Sequence, residues 1–176
     1  MVDEQVKILE GLQTAIRMET DGKTFYLKAS RGSGNEIGRK LLESLAAEED
    51  IHRRKFEEIY QVVRSKKGWP EIDASPGKGE KPETIFARAT EALDTGKRAL
   101  DTELEAVQTA MTMENRSFDF YKAQSGRARY DTQRAFYDAL AAQERGHHQV
   151  LQDYYEYMVD PVSWFVGKEH PSLDGG

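Results

Sequence analysis

The hydrophobic positions recur with helical spacing in four long segments that contain almost no proline or glycine. Apolar and aromatic side chains return every three or four residues, the period of an α-helix with one buried face. Glycine and proline cluster between these segments, near residues 31–34, 68–82 and 125–126, and again after Pro161. Since such clusters favour turns, the pattern predicts four helices with a long crossover, about 66–96, between the second and third. It indicates an all-α crossover four-helix bundle.

Local signals predict further boundaries. The segment Ser33-Gly34-Asn35-Glu36 has capping-box spacing for the second helix, and Pro82 suits the first turn of a short helix that runs to about Leu93 within the crossover. We expect the bundle to occupy residues 1–158 and residues 159–176 to form a C-terminal tail. Aromatic residues in the crossover and at Trp164-Phe165 look exposed in sequence, which favours a homodimer. Strand-like pairing and helix exchange between subunits at the crossover are open alternatives.

Each predicted helix carries a glutamate in the middle of its inner stripe. On the second helix the stripe is Leu41, Leu45, Glu49, His52, Phe56, Ile59 and Val63. On the fourth it is Phe136, Leu140, Glu144, His147, Leu151, Tyr154 and Met158. The first helix offers Ile8, Leu12, Ala15, Glu19, Gly22 and Tyr26, and the third offers Leu100, Leu104, Val107, Met111, Glu114, Ser117 and Tyr121.

The stripes agree because the chain repeats itself at an offset of 95 residues. Residues 9–30 and 104–125 are identical at 10 of 22 positions, and residues 45–52 align with 140–147. Apolar positions of two helices can coincide by chance, whereas shared Gln-Thr, Glu and Glu-x-x-His positions indicate a true repeat. The period is too long and the copy number too small for a solenoid. We therefore predict two helical hairpins related by approximate two-fold symmetry.

The inner polar residues form a candidate metal site. Residues three apart lie on one face of a helix, so each Glu-x-x-His pair can reach the same point in the core as the glutamates of the other helices. Four ionised carboxylates bring a charge of −4, which is costly to bury unless cations cancel it, and two divalent cations do so. Oxygen and imidazole donors suit iron, manganese or zinc. The candidate ligands are Glu19, Glu49, His52, Glu114, Glu144 and His147.

Composition limits the other possibilities. The 176 residues carry 25 Lys and Arg against 31 Asp and Glu, a net charge of −6 with no basic block, which disfavours nucleic acid and anionic membranes as partners. The chain has no cysteine, so disulfides and thiolate metal sites are excluded. No apolar run is long enough for a transmembrane helix. The acidic start Met1-Val2-Asp3-Glu4 does not resemble a secretory signal, and we expect a cytoplasmic protein.

Five further residues need separate interpretation. Tyr26 and Tyr121 follow Glu19 and Glu114 by seven residues on the same face. They are either plain core aromatics or hydrogen-bond donors to ligand carboxylates, and we favour donors. Glu48 aligns with Gln143 in the repeat, and we expect it to be a solvated surface residue. His148 is expected to face outward, and His170 lies in the tail.

These motifs resemble the rubrerythrin branch of the ferritin-like superfamily. The Met-Glu…Phe-Tyr and Leu-Ala-Ala-x-Glu-x-x-His pairs are similar to the family's helix motifs over residues 5–158. The resemblance implies a ferritin-like bundle with two non-haem iron ions, held by the six candidate ligands. It also implies reduction of peroxide, oxidation of ferrous iron or activation of dioxygen.

Two departures from rubrerythrin proper affect the functional prediction. Its rubredoxin domain needs four cysteines, so the resemblance implies that electrons arrive here from a separate rubredoxin-like donor. Its additional carboxylate on the third helix is Ser117 in this chain, which makes the site closer to symmetric bacterioferritin-like centres. We expect peroxidase activity toward H2O2. The alternatives are a ferroxidase that handles Fe²⁺ with O2, and a non-enzymatic metal-binding or sensor protein.

Overall fold

The computed structural model describes residues 2–65, 68–91 and 101–169, which form α-helices and contain no strand. The predicted all-α architecture is confirmed. The four long helices are α1 (Val2–Gly32), α2 (Glu36–Arg64), α4 (Asp101–Gly126) and α5 (Asp131–Val159). Two short helices are α3 (Pro82–Glu91), which lies in the crossover, and α6 (Pro161–Glu169). The predicted end of the crossover helix at Leu93 lies outside the described residues.

The long helices pack as two hairpins. Helix α1 lies against α2 and α4 against α5, and the hairpins meet through contacts of α1 with α4 and of α2 with α5. Helix α3 packs on α2 and α5, and α6 packs on α5. The crossover therefore lets the second hairpin return beside the first, so that all four long helices surround one core.

The internal repeat is visible in matching contacts. In the first hairpin the amide of Gln13 donates to the Tyr60 hydroxyl at 3.0 Å. In the second hairpin Gln108 donates to Tyr155 at 3.0 Å. Because each pair lies 95 residues from the other, the hairpins share their polar contacts as well as their hydrophobic pattern.

The burial of the long helices follows most of the predicted stripes. All fourteen predicted stripe residues of α2 and α5 are buried. On α4, however, Ala110 and Ser125 are buried, whereas Leu104, Met111 and Ser117 are only half-buried. Ala110 and Ser125 align in the repeat with Ala15 and Ser30, which are buried on α1. The two helices therefore bury the same face. Leu100 lies outside the described residues.

The hydrophobic core is divided into two halves. One half contains Leu41, Leu45, Val107 and Leu151, together with Phe86 from the crossover. The other contains Leu12, Phe56, Tyr121 and Phe136, together with Trp69 from the crossover. On α2 and α5 the Glu-x-x-His pairs lie between the residues of the two halves. Apolar side chains thus close the polar middle of the bundle from both ends.

The expected cap of the second helix is wrong. The cap of α2 is Asn35 rather than Ser33: its side chain accepts from the backbone N–H groups of Ile37 at 2.8 Å and Gly38 at 3.3 Å. The Ser33 hydroxyl instead donates to Glu103. A short polar side chain directly before the first turn satisfies the free N–H groups of the helix, so Asn35 removes the need for a cap two residues earlier.

The aromatic residues of the crossover and of α6 pack inside the chain. Trp69 is buried in the core. The Trp164 ring lies 5.5 Å from Phe86 and 5.9 Å from Tyr157, and Phe165 lies 6.5 Å from Tyr157, measured between ring centroids. The expectation that these aromatics are exposed is wrong, because Trp69 packs against Phe136 and Tyr137 and α6 folds back on α5, which leaves Trp164 and Phe165 half-buried. The homodimer therefore loses its sequence argument and stays a prediction. Among the described residues, no helix has the length and apolar character needed to cross a bilayer.

Candidate metal centre

The six candidate ligands come together between the two halves of the core. Each is at most 4% exposed. Their donor atoms form two groups whose members lie within 4.8 Å of one another. One group is Glu19, Glu49, His52 and Glu144, and the other is Glu49, Glu114, Glu144 and His147. Glu49 and Glu144 belong to both groups, so the arrangement provides two adjacent positions with two shared carboxylates.

Each of the six side chains directs one buried atom into the cluster without a hydrogen-bond partner. These atoms are Glu19 Oε2, Glu49 Oε1, His52 Nδ1, Glu114 Oε2, Glu144 Oε1 and His147 Nδ1. A buried polar atom without a partner costs about 1–3 kcal/mol, and six in one place would be a large penalty for a purely structural core. Native proteins rarely leave such atoms unpaired unless an ion or a function accounts for them.

The distances between these atoms suit shared cations. His52 Nδ1 lies 3.4 Å from Glu19 Oε2 and 3.3 Å from Glu144 Oε1. His147 Nδ1 lies 3.2 Å from Glu49 Oε1 and 3.5 Å from Glu114 Oε2. Donors that bind one cation at about 2.0–2.2 Å are held roughly 3 Å apart. Nitrogen and carboxylate oxygen donors also match iron, manganese and zinc, so the residues fit a diiron centre.

Burial and neighbouring charges divide the four carboxylates into two kinds. Burial, with repulsion from the other glutamates, raises the pKa of Glu49 and Glu144 well above the ordinary value. Burial also opposes ionisation of Glu19 and Glu114, but it is outweighed by the charge of the nearby histidine together with hydrogen bonds from that histidine, a neighbouring glutamate and a tyrosine, so that both pKa values lie below the ordinary value.

The negative charge of the glutamates raises the pKa values of both histidines, although burial acts to lower them. Burial disfavours their charged forms, yet Glu19 raises the pKa of His52 and Glu114 raises that of His147. Without a cation, these shifts favour retention of protons by Glu49, Glu144 and both histidines, which lowers the net negative charge of the cluster. With two divalent cations, four carboxylates are cancelled while both histidines are neutral. Protons and divalent cations therefore both compensate the charge of the carboxylates, and the binding of cations is expected to release protons.

A second set of contacts fixes which nitrogen of each histidine faces the cluster. His147 Nε2 lies 3.1 Å from a carboxylate oxygen of Glu48, and His52 Nε2 lies 3.1 Å from the amide oxygen of Gln143. Both partners accept hydrogen bonds with these oxygens, so each Nε2 carries a proton, and in the neutral imidazole that binds a metal each Nδ1 presents its lone pair to the cluster. Such partners commonly orient metal-binding histidines.

The expectation that Glu48 is a solvated surface residue is wrong. Its side chain is 11% exposed and contacts His147, which lies on the opposite hairpin. Gln143 was missed as well. The repeat contained the signal that could have identified both residues, since each is a polar residue directly before a stripe glutamate. His148 is half-buried and belongs to neither donor group, and His170 lies outside the described residues.

Tyr26 and Tyr121 contact the cluster across the two hairpins. The hydroxyl of Tyr26 on α1 donates to Glu114 on α4, and that of Tyr121 on α4 donates to Glu19 on α1. Burial and the negative charge of these glutamates raise the pKa of both tyrosines well above the ordinary value. Both phenols therefore keep their protons and remain donors at neutral pH.

Replacing Tyr26 by phenylalanine should destabilise the protein through Glu114. Loss of a buried hydrogen bond to a charged group is expected to lower the free energy of unfolding by about 1.5–3 kcal/mol. Urea unfolding of the metal-loaded protein measures this change. Tyr137→Phe is the control, because Tyr137 is also buried but packs against Phe136 and Trp69 outside the cluster. Equal losses in the two variants would argue against a supporting role for Tyr26.

Of the comparisons with known proteins, the one with family models supports this geometry. No curated protein and no solved structure matches the chain significantly. The family model of rubrerythrin matches residues 10–155, which contain all six clustered side chains and both tyrosines. Since the match covers most of the sequence, the chain belongs to the rubrerythrin family.

Proposed function

We propose that this protein is a non-haem diiron-carboxylate peroxidase that reduces hydrogen peroxide with electrons from a separate rubredoxin-like donor. The observation that carries the dinuclear site is the sharing of Glu49 and Glu144 between both donor groups. Membership of the rubrerythrin family supports iron as the metal and peroxide as the oxidant. The 176 residues contain no cysteine, so an iron–thiolate electron carrier must come from outside them.

In this proposal the six clustered side chains are the ligands. Glu19 and His52 hold one iron, Glu114 and His147 hold the other, and Glu49 and Glu144 serve both. The same donors can accept manganese or zinc as substitutes. When bound, a pair of ferrous ions supplies the two electrons that, with two protons, convert one H2O2 into two molecules of water.

The chain's own residues prepare the site for this reaction. Gln143 and Glu48 keep His52 and His147 in the tautomer that presents Nδ1 to the cluster. Tyr26 and Tyr121 hold the carboxylates of Glu114 and Glu19 in place. The two halves of the hydrophobic core keep bulk water away from the cluster. Fewer rearrangements are then needed during the reaction, which favours catalysis.

Ferroxidase activity is the second candidate, and a specific residue favours it. Ser117 stands where the family resemblance places an additional carboxylate, and it is half-buried on α4. The remaining donors form a symmetric set of four glutamates and two histidines. Such a set suits repeated oxidation of Fe²⁺ by O2 for detoxification or storage.

A single-turnover comparison should separate the candidates. The protein is loaded anaerobically with two Fe²⁺ per chain and mixed in a stopped-flow instrument with H2O2 or with O2 at equal concentration. We expect faster oxidation by H2O2, with one peroxide consumed per chain. Faster oxidation by O2, with many added Fe²⁺ consumed per site, would replace the peroxidase proposal by the ferroxidase one. Reaction with neither oxidant would leave a non-enzymatic metal-binding or sensor role.

A further inference from the structure

The approximate symmetry of the centre is broken where the histidines meet their outer partners. His52 and His147 occupy equivalent positions, with ring planes 16° apart and centroids separated by 5.8 Å. Their Nε2 atoms lie at the same distance, 3.1 Å, from an acceptor. For His147 the acceptor is the carboxylate of Glu48, whereas for His52 it is the neutral amide of Gln143. Residues 48 and 143 are equivalent in the repeat. The two partners therefore occupy matching positions but differ in charge.

The orientation of Gln143 is fixed by its own amide group. Its Nε2 donates to the backbone carbonyls of Ala74 at 2.8 Å and of Ala139 at 3.3 Å. Both amide hydrogens are thereby committed, and the amide oxygen must face His52. Gln143 therefore acts as a neutral acceptor at a defined position, which makes it a direct structural counterpart of Glu48.

A carboxylate and an amide have different effects on the imidazole that they contact. A hydrogen bond to an ionised acceptor is roughly twice as strong as one between neutral groups. By drawing the Nε2 proton toward itself, a carboxylate raises the basicity of the other ring nitrogen and strengthens its bond to a metal. The negative charge of Glu48 also attracts a cation held by His147 directly. Both effects increase the affinity of the position beside His147 for a metal ion.

We propose that Glu48 makes the position beside His147 the first to bind a metal ion, and that the position beside His52 fills second. This inference rests on the dinuclear site proposed above. Glu48 and Gln143 are positioning residues that act through the histidines and do not bind the metal themselves. The inequivalence of the two positions thus comes from one pair of residues outside the ligand set.

The test determines which of the two positions binds the first cation. The full-length protein, free of metal and carrying ¹⁵N-labelled histidine, receives one equivalent of Zn²⁺ at neutral pH. The ¹⁵N signals of the two Nδ1 atoms then report the occupancy of each position. His52→Gln and His147→Gln variants serve only to assign the signals. In the wild-type protein we expect zinc at His147 in at least about tenfold excess over His52, within the 10–100-fold range typical of such partners.

Exchange of the two partners provides a matched set of variants. Glu48→Gln makes both partners amides and should bring the two occupancies within about threefold. Gln143→Glu makes both carboxylates, should have the same effect, and keeps the test available if Glu48→Gln does not fold. The double exchange, Glu48→Gln with Gln143→Glu, should direct the first zinc to His52. A role of Glu48 in folding alone would not reverse the order.

The possible failures are distinguishable. An even distribution in the wild-type protein, or zinc at His147 in the double exchange, would overturn the inference while two bound ions per chain leave the dinuclear site intact. If neither Nδ1 signal responds to zinc, both the dinuclear site and the inference built on it are wrong.

Discussion

Replacing Glu49 and Glu144 together with alanine is expected to abolish the binding of both metal ions. Both residues contribute to each of the two donor groups. The double change removes half of the carboxylates and leaves each position with one glutamate and one histidine, too few ligands for tight binding. Metal analysis after dialysis should fall from about two ions per chain to about none, because metal affinity depends on ligand number and geometry.

The folded structure should survive this double change. Glu49 and Glu144 are the two carboxylates whose ionisation is most strongly opposed by burial and by the other glutamates, so their removal relieves repulsion in the metal-free protein. The matched control is Glu58→Ala with Glu156→Ala, which changes exposed glutamates on the same two helices, α2 and α5. Circular dichroism checks the fold of each variant. A folded Glu49→Ala, Glu144→Ala protein that keeps two metal ions would refute the ligand assignment.

Metal loading is expected to raise the melting temperature by about 10–20 °C. A ligand that binds only the native state stabilises it by about 2.7 kcal/mol at 100 times its dissociation constant, and two sites give about 5 kcal/mol. For a chain of this size, each kcal/mol shifts the melting temperature by about 2–4 °C. Calorimetry of the metal-free and loaded forms measures the difference. Equal melting temperatures at neutral pH would show that cations do not occupy the buried cluster.

The stabilisation by metal should increase with pH. Glu49, Glu144 and both histidines have raised pKa values in the metal-free fold, so protons held there favour that fold in acid and are lost as the pH rises. Cations need the same atoms unprotonated. Between about pH 5 and pH 8, the gap between the two melting temperatures should therefore widen. A constant gap would mean that cations and protons do not compete for the same atoms.

Helical spacing and the repeat were sufficient to predict which side chains meet in the core. Each Glu-x-x-His pair lies within a stripe whose every predicted member is buried. This succeeded because the position of a residue around one helix depends on local geometry alone. The same reasoning was less accurate on α4, where Met111 is only half-buried and Ala110 lies inside. Adjacent apolar residues leave the helical face ambiguous until another helix packs against it.

Local patterns were weaker guides where contacts between distant segments decide the outcome. Trp164 was expected to be exposed because it lies in the tail beyond the four long helices, yet α6 brings it against Phe86 of the crossover. Ser33 has the spacing of a cap, but α2 begins directly after Asn35, which caps it, and the Ser33 hydroxyl donates to Glu103 of the other hairpin. In both cases the side chain contacts a residue far away in sequence, which no local pattern specifies.

The sequence by itself determined the helical bundle, its two-fold repeat and the six residues that gather at its centre. These properties follow from periodicity and spacing within single helices. Only the tertiary structure showed that Tyr26 and Tyr121 donate across the hairpins and that Glu48 lies against His147. Those contacts join residues about 90 to 100 positions apart. They depend on how the hairpins are rotated and offset against each other, which no pattern within one helix specifies.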